Sequence, residues 1–298
     1  MKNFHQSVLL KKAVGGLRVE KNKKYIDATL GGGGHAKKIL ELGGEVLGID
    51  VDEEALNYVK ANFKSQISNL KLRLVRGNFR DIDKIARLNN LPAGRQDFDP
   101  PAGGVAGIIF DLGVSSHQID KPERGFSFQN EGPLDMRMDQ ELGVRALDLI
   151  KILTKGELYE IFTKFGEESR AWEISDAIVR TRSMNPIETT GNLAKIVFKI
   201  AGQSKKVFQA LRIAVNDELN SITEGLPKAL RLLEPKGRLC VISFHSLEDR
   251  IIKRAFLEFE EKGFGKIITQ KPIVPTEEEI AENKRARSAK LRIFEKLI

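Results

Sequence analysis

Four consecutive glycines, Gly31 to Gly34, followed by His35, are the residues whose types and spacing first point to chemistry. Glycine lets the backbone approach a ligand closely, and a helix starting there offers it free N–H groups. Gly31, Gly33 and Ala36 match the G-x-G-x-x-[G/A] turn of dinucleotide binders, a weak match because four glycines in a row satisfy many patterns. A P-loop is excluded, since His35-Ala36 stands where that loop needs lysine and a hydroxyl residue. Two acids narrow the choice. Asp50 comes 19 positions after Gly31, where a carboxylate accepts hydrogen bonds from ribose hydroxyls. Asp27 sits just before the glycines. It would repel the pyrophosphate of a nicotinamide cofactor and attract the ammonium and sulfonium of S-adenosylmethionine, which tilts the loop toward the latter. The competing reading is that Asp27 and Thr29 only satisfy local turn amides.

Further candidates fall on the edge where ligands collect in open α/β sheets. Gly77-Asn78-Phe79 follows an expected strand, and Phe79 offers a ring to an adenine or, as a lone phenylalanine more often does, to the core. Asp111 ends the next strand and His245 follows a later one. For His245 the alternative is capping, because Ser246-x-x-Asp249 has the spacing of a capping box. Four histidines and one cysteine offer no pair at ligand spacing, so no metal site is expected.

The elements that must position these residues alternate in the first half. Residues 24–30, 45–50, 72–75 and 105–110 read as strands, with helices over 35–42 and 52–63. That rhythm predicts a parallel sheet with right-handed crossovers. Residues 91–104, dense in Pro and Gly, read as a surface loop, and 113–138 as a long functional one. Helical periodicity then takes over. Leu158, Ile161, Phe162 and Phe165 share one face behind a Thr154–Glu157 capping box, while Trp172, Ile174, Ala177 and Ile178 line another. A helix over 193–200 stops near Gly202, and 207–233 reads as one long helix bent near Gly225-Leu226-Pro227. A strand over 237–244, a helix over 247–259 and closing strands at 266–269 and 291–297 complete the pattern. The expected architecture is an α/β core, residues 1–120 and 208–298, with an all-helical domain inserted at 121–207.

Composition sets the outer bounds. At 298 residues the chain is long enough for two domains. Its 49 basic and 41 acidic side chains leave +8, a weak pointer to a polyanionic partner. A lone Cys240 excludes an internal disulfide and fits a reducing cytoplasm. No apolar run reaches the ~18 residues of a membrane helix, and the first residues lack a signal peptide's apolar stretch.

Taken together, the motifs resemble those of the bacterial 16S rRNA cytosine-N4 methyltransferases. The matching stretches are His5-Gln6-Ser7-Val8-Leu9-Leu10, Asp27-Ala-Thr-Leu-Gly-Gly-Gly-Gly-His35, Gly48-Ile-Asp50, and Asp111-Leu-Gly-Val-Ser-Ser116 with Gln118. They continue through Arg124-Gly-Phe-Ser-Phe128, Gly132-Pro-Leu-Asp-Met-Arg-Met-Asp139, Phe165-Gly-Glu-Glu168, Phe208 to Asn216, and Ser243-Phe-His-Ser-Leu-Glu-Asp-Arg250. They run in the family's order across nearly the whole chain. Gln203-Ser204-Lys205-Lys206-Val207 and Lys284 depart from the family pattern, and the 91–104 loop is longer than expected.

The resemblance implies a Rossmann-like S-adenosylmethionine-dependent methyltransferase core with an inserted helical domain. It places cofactor contacts on Gly33, Gly34, His35, Asp50, Phe79, Asp111 and Gln118. It makes 16S rRNA, free or in the small subunit, the partner. Cytosine's exocyclic amine is a poor nucleophile, and an acceptor on its N–H would localise the lone pair. Asp111 is the candidate for that catalytic role, against the alternative of cofactor binding alone. Arg124, Phe126, Arg137, Arg212 and His245 are candidate substrate contacts, with Phe128 as a second stacking ring and Lys205, Lys206, Arg285 and Arg287 as further phosphate contacts. The rival functions are a nicotinamide-dependent oxidoreductase and a non-catalytic RNA-binding protein.

Overall fold

The structure, a computed structural model, describes residues 7–91 and 104–297. The 91–104 loop, except its two end residues, and His5-Gln6 of the first motif lie outside the described residues. Chain contacts divide the molecule into two compact units: residues up to Gly113 and from Leu219 onward, and the intervening Val114–Glu218. These bounds lie outside the expected 121 and 207. The reason is packing: Phe208, Leu211 and Val215 bury their side chains in the core of the second unit, and Val114 packs against it.

The first unit opens with α1 (Leu10–Leu17), β1 (Lys24–Asp27), α2 (Gly34–Glu41), β2 (Glu45–Asp50), α3 (Glu53–Asn62), α4 (Lys64–Ser68), β3 (Leu72–Arg76), α5 (Ile82–Leu88) and β4 (Val105–Asp111). It resumes after the second unit with α12 (Glu218–Leu232), β5 (Leu233–Ser243), α13 (Ser246–Glu261), β6 (Gly265–Ile267), α14 (Glu277–Glu282) and β7 (Lys290–Lys296). The sheet order is β3-β2-β1-β4-β5-β7-β6. β1 to β5 are parallel, whereas β7 runs antiparallel to both β5 and β6.

Successive side chains of a strand face opposite sides of the sheet, so a covered sheet needs apolar residues at consecutive positions. Ile108 and Phe110 of β4, with Leu239 and Val241 of β5, pack under α5, α12 and α13. Ile109, Cys240 and Ile242 face the other side and meet α1, α2 and α3. Between β5 and β7 a buried ion pair joins the apolar packing. Arg238 lies opposite Glu295, to whose Oε2 it donates at 2.9 and 2.8 Å, and a third bond runs to Gly16 O.

The second unit holds α6 (Ser116–Asp120), α7 (Ala146–Ile152), α8 (Lys155–Lys164), α9 (Ala171–Met184), α10 (Thr190–Ala201) and α11 (Lys205–Asn216). Its core includes Phe126, Leu134, Ile150, Phe162, Ile174, Leu193 and Leu211. The capping box predicted at Thr154 and Glu157 is formed, and Gly202 ends α10 in the left-handed conformation. Trp172 is a correction: it is 53 % exposed, edge-on to Tyr159, with the Lys155 ammonium over its ring. The expected single helix over 207–233 is also corrected. The chain breaks at Asp217, φ 50°, and passes straight through Pro227 inside α12. Proline there forfeits the bond to the carbonyl of Thr223, an exposed residue. Among the described residues no helix is long and apolar enough to cross a membrane.

Candidate cofactor site

The carboxyl ends of β1, β2 and β4 bring Asp27, Asp50 and Asp111 to one sheet edge, where β1 divides chain order running to β2 from chain order running to β4. Such a switch point leaves a crevice that the loops cannot fill. The glycine turn lines it. Gly31 and Gly33 have φ of 50° and 75°, and Gly33 is the N-cap of α2. A side chain at Gly33 would meet Val59 and Phe63 at 3.1 and 3.2 Å as well as adopting a left-handed backbone. Leu30 N–H donates to Ile49 O, and Gly33 N–H to Leu30 O, so the turn is pinned to β2.

Each acid is held differently. Asp27 is 1 % exposed; its Oδ1 accepts weakly from Thr29 N–H at 3.4 Å. Its Oδ2 is buried with no hydrogen-bond partner among the described residues. Burial, reinforced by the charges of Asp111 and Asp50, pushes the Asp27 carboxyl up to about 7. Asp50 accepts Gly31 N–H on Oδ2 at 2.7 Å and Asp52 N–H on Oδ1 at 2.9 Å. Burial raises it to about 6 despite those bonds. The Asp111 backbone N–H donates to Thr29 Oγ1 at 2.6 Å, and its carboxylate Oδ2 lies 3.7 Å from His35 Nδ1. Thr29 is thus a tie between two site strands that sequence reading assigned only to turn amides. A lone hydroxyl between Asp27 and the glycines was its one signal. Phe79 sits in a single 3-10 turn at Phe79–Asp81, edge-on to Phe110 at 5.3 Å between centroids and partly buried against the core.

Several expected substrate contacts are occupied within the protein. Imidazole Nδ1 of His245 accepts Glu248 N–H at 3.4 Å and its Nε2 lies 3.3 Å from Glu248 Oε1. His245, and not Ser246, is therefore the N-cap of α13, with Glu248 as its reciprocal partner. In the second unit, Gln118 Oε1 accepts Ser115 N–H at 2.9 Å and closes the capping box of α6. Arg124 is 3 % exposed and donates to the carbonyls of Arg137 and Met138. Arg137 forms a two-pronged pair with Asp135 and donates to Gln140 O and Leu142 O. Arg212 grips Glu218 at 2.8 and 3.0 Å. Phe126 is buried in the core. In this structure the three arginines spend their hydrogen bonds on carbonyls and carboxylates of the second unit.

Asn216, which sequence reading did not single out, completes that scaffold. It accepts Met138 N–H at 2.7 Å and donates to Met136 O at 2.8 Å. By contrast Lys205, Arg285 and Arg287 are exposed, and Lys206 donates to Glu167 O. Phe128 is 39 % exposed beside Phe208.

Residues 2–297 match the MraW methylase family. The chain is similar to the ribosomal RNA small subunit methyltransferase H of Brevibacillus brevis, 41 % identical over 98 % of both chains. It is equally similar, at 41 % over 99 % of both, to the protein of that name from Halothermothrix orenii. Among solved structures it superposes on an rRNA methylase from Streptococcus thermophilus with a TM-score of 0.46, 13 % identity and 98 % coverage of both chains.

Proposed function

The chain belongs to the MraW methylase family, and on that footing we infer that it methylates the N4 amine of a cytidine in 16S ribosomal RNA. The protein is an S-adenosylmethionine-dependent methyltransferase whose substrate is small-subunit rRNA. The cofactor supplies a methyl group made electrophilic by its sulfonium. Asp27 receives the cofactor's ammonium, and the amides of Gly34 and His35 at the start of α2, beside Gly33, receive its carboxylate. Asp50 takes the ribose hydroxyls on the lone pairs its backbone bonds leave over. Phe79 borders the adenine. Gln118 remains a contact on the family resemblance alone. The observation that carries this assignment is the buried Oδ2 of Asp27, an acceptor without a partner that a cation satisfies.

Asp111 accepts the amine's N–H and localises the nitrogen lone pair as the methyl arrives. The base leaves its stack to reach this edge. Lys205, Arg285 and Arg287 contact phosphates, and the second unit recognises the RNA. We place it in the cytoplasm, a reading that the ribosomal RNA substrate supports.

Calorimetry with S-adenosylmethionine and with NAD tests the cofactor, and binding of NAD alone would defeat the reading. Transfer of a tritiated methyl group to unmethylated small subunits, followed by mass mapping, tests the product, which should be N4-methylcytidine. Asp111→Asn should lower the transfer rate about 10²-fold or more with cofactor affinity retained. Loss of affinity instead would reduce Asp111 to a cofactor contact.

A further inference from the structure

The surface bases of α8 and α9 are matched by acids. Lys155 and Arg180 share Asp176, Lys164 pairs with Glu160, and Arg170 with Glu173. The stretch that follows is different. Thr190 to Lys206, which holds α10 and opens α11, carries four lysines and no acidic residue. Lys206 donates to Glu167 O. Lys195, Lys199 and Lys205 are exposed and make no ion pair or hydrogen bond among the described residues. Glu131 approaches α10 only at its N-terminal cap, where it accepts from Thr189 Oγ1 at 3.1 Å.

Helical spacing sets the arrangement. Leu193 and Val197 are buried, and Ile196 and Ile200 pack beside them against the core of the second unit. Lys195, Phe198 and Lys199, three and four positions apart, share the opposite face. The core therefore has no use for Phe198, which is 63 % exposed. Three positive charges without acids between them repel one another, and a polyanion relieves that repulsion. A bare aromatic ring between two of them offers a face on which a nucleic-acid base stacks. The combination selects the partner. An acidic protein would answer the lysines and an apolar patch the ring, whereas a single strand of RNA answers both along its length. A paired helix does not, because its base faces are closed within the stack.

We propose that the outward face of α10, Lys195, Phe198 and Lys199, with Lys205 at the start of α11, is a docking surface for a single-stranded stretch of the ribosomal RNA. Its phosphates meet the lysines, and one unpaired base lies on the Phe198 ring. This rests on the function inferred above. The contact holds the substrate and exchanges no atom with it.

The test is binding of the full-length protein to unmethylated small subunits and to the 16S rRNA freed from them, followed by fluorescence anisotropy across salt. Phe198→Ala should weaken binding to both about 5–100-fold, the range for losing one base stack, with the slope of log affinity against log salt unchanged. Phe198→Tyr, which keeps the ring, should bind like the wild type. Phe198→Leu, which keeps only apolar bulk, should bind like Phe198→Ala. Replacing Lys195 and Lys199 together with alanine should lower the slope by about 1.4, or 0.7 for each phosphate of a single strand. The melting temperature should hold throughout, since all of these side chains are exposed.

Wild-type affinity in Phe198→Ala, or Phe198→Leu binding as well as Phe198→Tyr, would overturn the stack and the proposal with it. An unmoved slope in the double lysine variant would do the same through the phosphates. Loss of affinity for intact subunits without loss on the bare rRNA would make the partner a ribosomal protein and also overturn it. Failure of the function reads differently: wild-type protein would then neither bind these probes nor methylate the subunits. Wild-type protein that did both, with the variants unchanged, would remove the surface alone.

Discussion

Burial holds the Asp27 carboxyl at about 7 against an ordinary 3.8, and two consequences follow at the scale of that residue. A folded-state value above the unfolded one means the ionised group destabilises the cofactor-free protein. The penalty grows as pH rises from about 4 to about 7 and is full above that, on the order of 4 kcal/mol. Asp27→Asn should therefore raise the cofactor-free melting temperature more at pH 8 than at pH 5. The same substitution should weaken S-adenosylmethionine binding. In the wild type, affinity should fall by up to about tenfold per pH unit as pH drops below 7, because the ammonium meets a neutral acid. The substituted protein should show no such slope in calorimetry, and a slope retained would remove Asp27 from the site. Asp27 was legible in sequence because the glycines that explain it lie within a few positions, and Asp50 because it ends the next strand 19 positions after the first of them. The arginines were not. Arg124 ends on carbonyls 13 and 14 residues away, and nothing in a basic residue type tells a carbonyl clip from a phosphate contact.

Elements were legible where a local rule decides them and shifted where packing does. Thr154 with Glu157 is such a rule. At α13 two overlapping boxes compete, and the one starting at His245 forms because Glu248 is fully buried and bonds the Phe244 and His245 amides, at 2.7 and 3.2 Å. Pro227 suggested a bend, yet the break falls at Asp217, which no residue type marks. The pairing of β5 with β7 was out of reach of periodicity altogether, since Arg238 and Glu295 look like surface charges until the strands align. Their burial makes a firm expectation. Glu295→Ala leaves the Arg238 guanidinium buried without its countercharge and should cost about 3–5 kcal/mol. Adding Arg238→Met should restore much of that. Urea unfolding with an unchanged m-value is the measurement, and a Glu295→Ala protein as stable as wild type would show the pair to be idle.

For the whole molecule, the +8 was a fair hint of a polyanion but a poor map of where it binds. Arg124, Arg137 and Arg212 all sit in the second unit, and all are occupied by carbonyls or carboxylates there. Salt titration of RNA binding separates the two kinds of basic residue. Arg287→Ala should reduce the slope of log affinity against log salt by about 1. Arg124→Ala should leave that slope alone and lower thermal stability instead. Equal slopes for both would mean Arg287 is only a solvated charge.

The pairing of β4 with β5 also has a meaning for the chain as it is made. Val105 pairs with Leu233 and Asp111 with Ile242, so every residue of the second unit leaves the ribosome between these two neighbours. At ~5–20 residues per second that interval lasts roughly 10 s. Throughout it β4 can settle beside β1 while its other edge, carrying Ile108, Ile109 and Phe110, has no strand to meet. An apolar strand with an open edge is what chaperones bind and what aggregates nucleate on. A protein that acts on ribosomal RNA is thus most vulnerable while still attached to a ribosome, and anything that stalls translation within residues 114–218 prolongs that exposure.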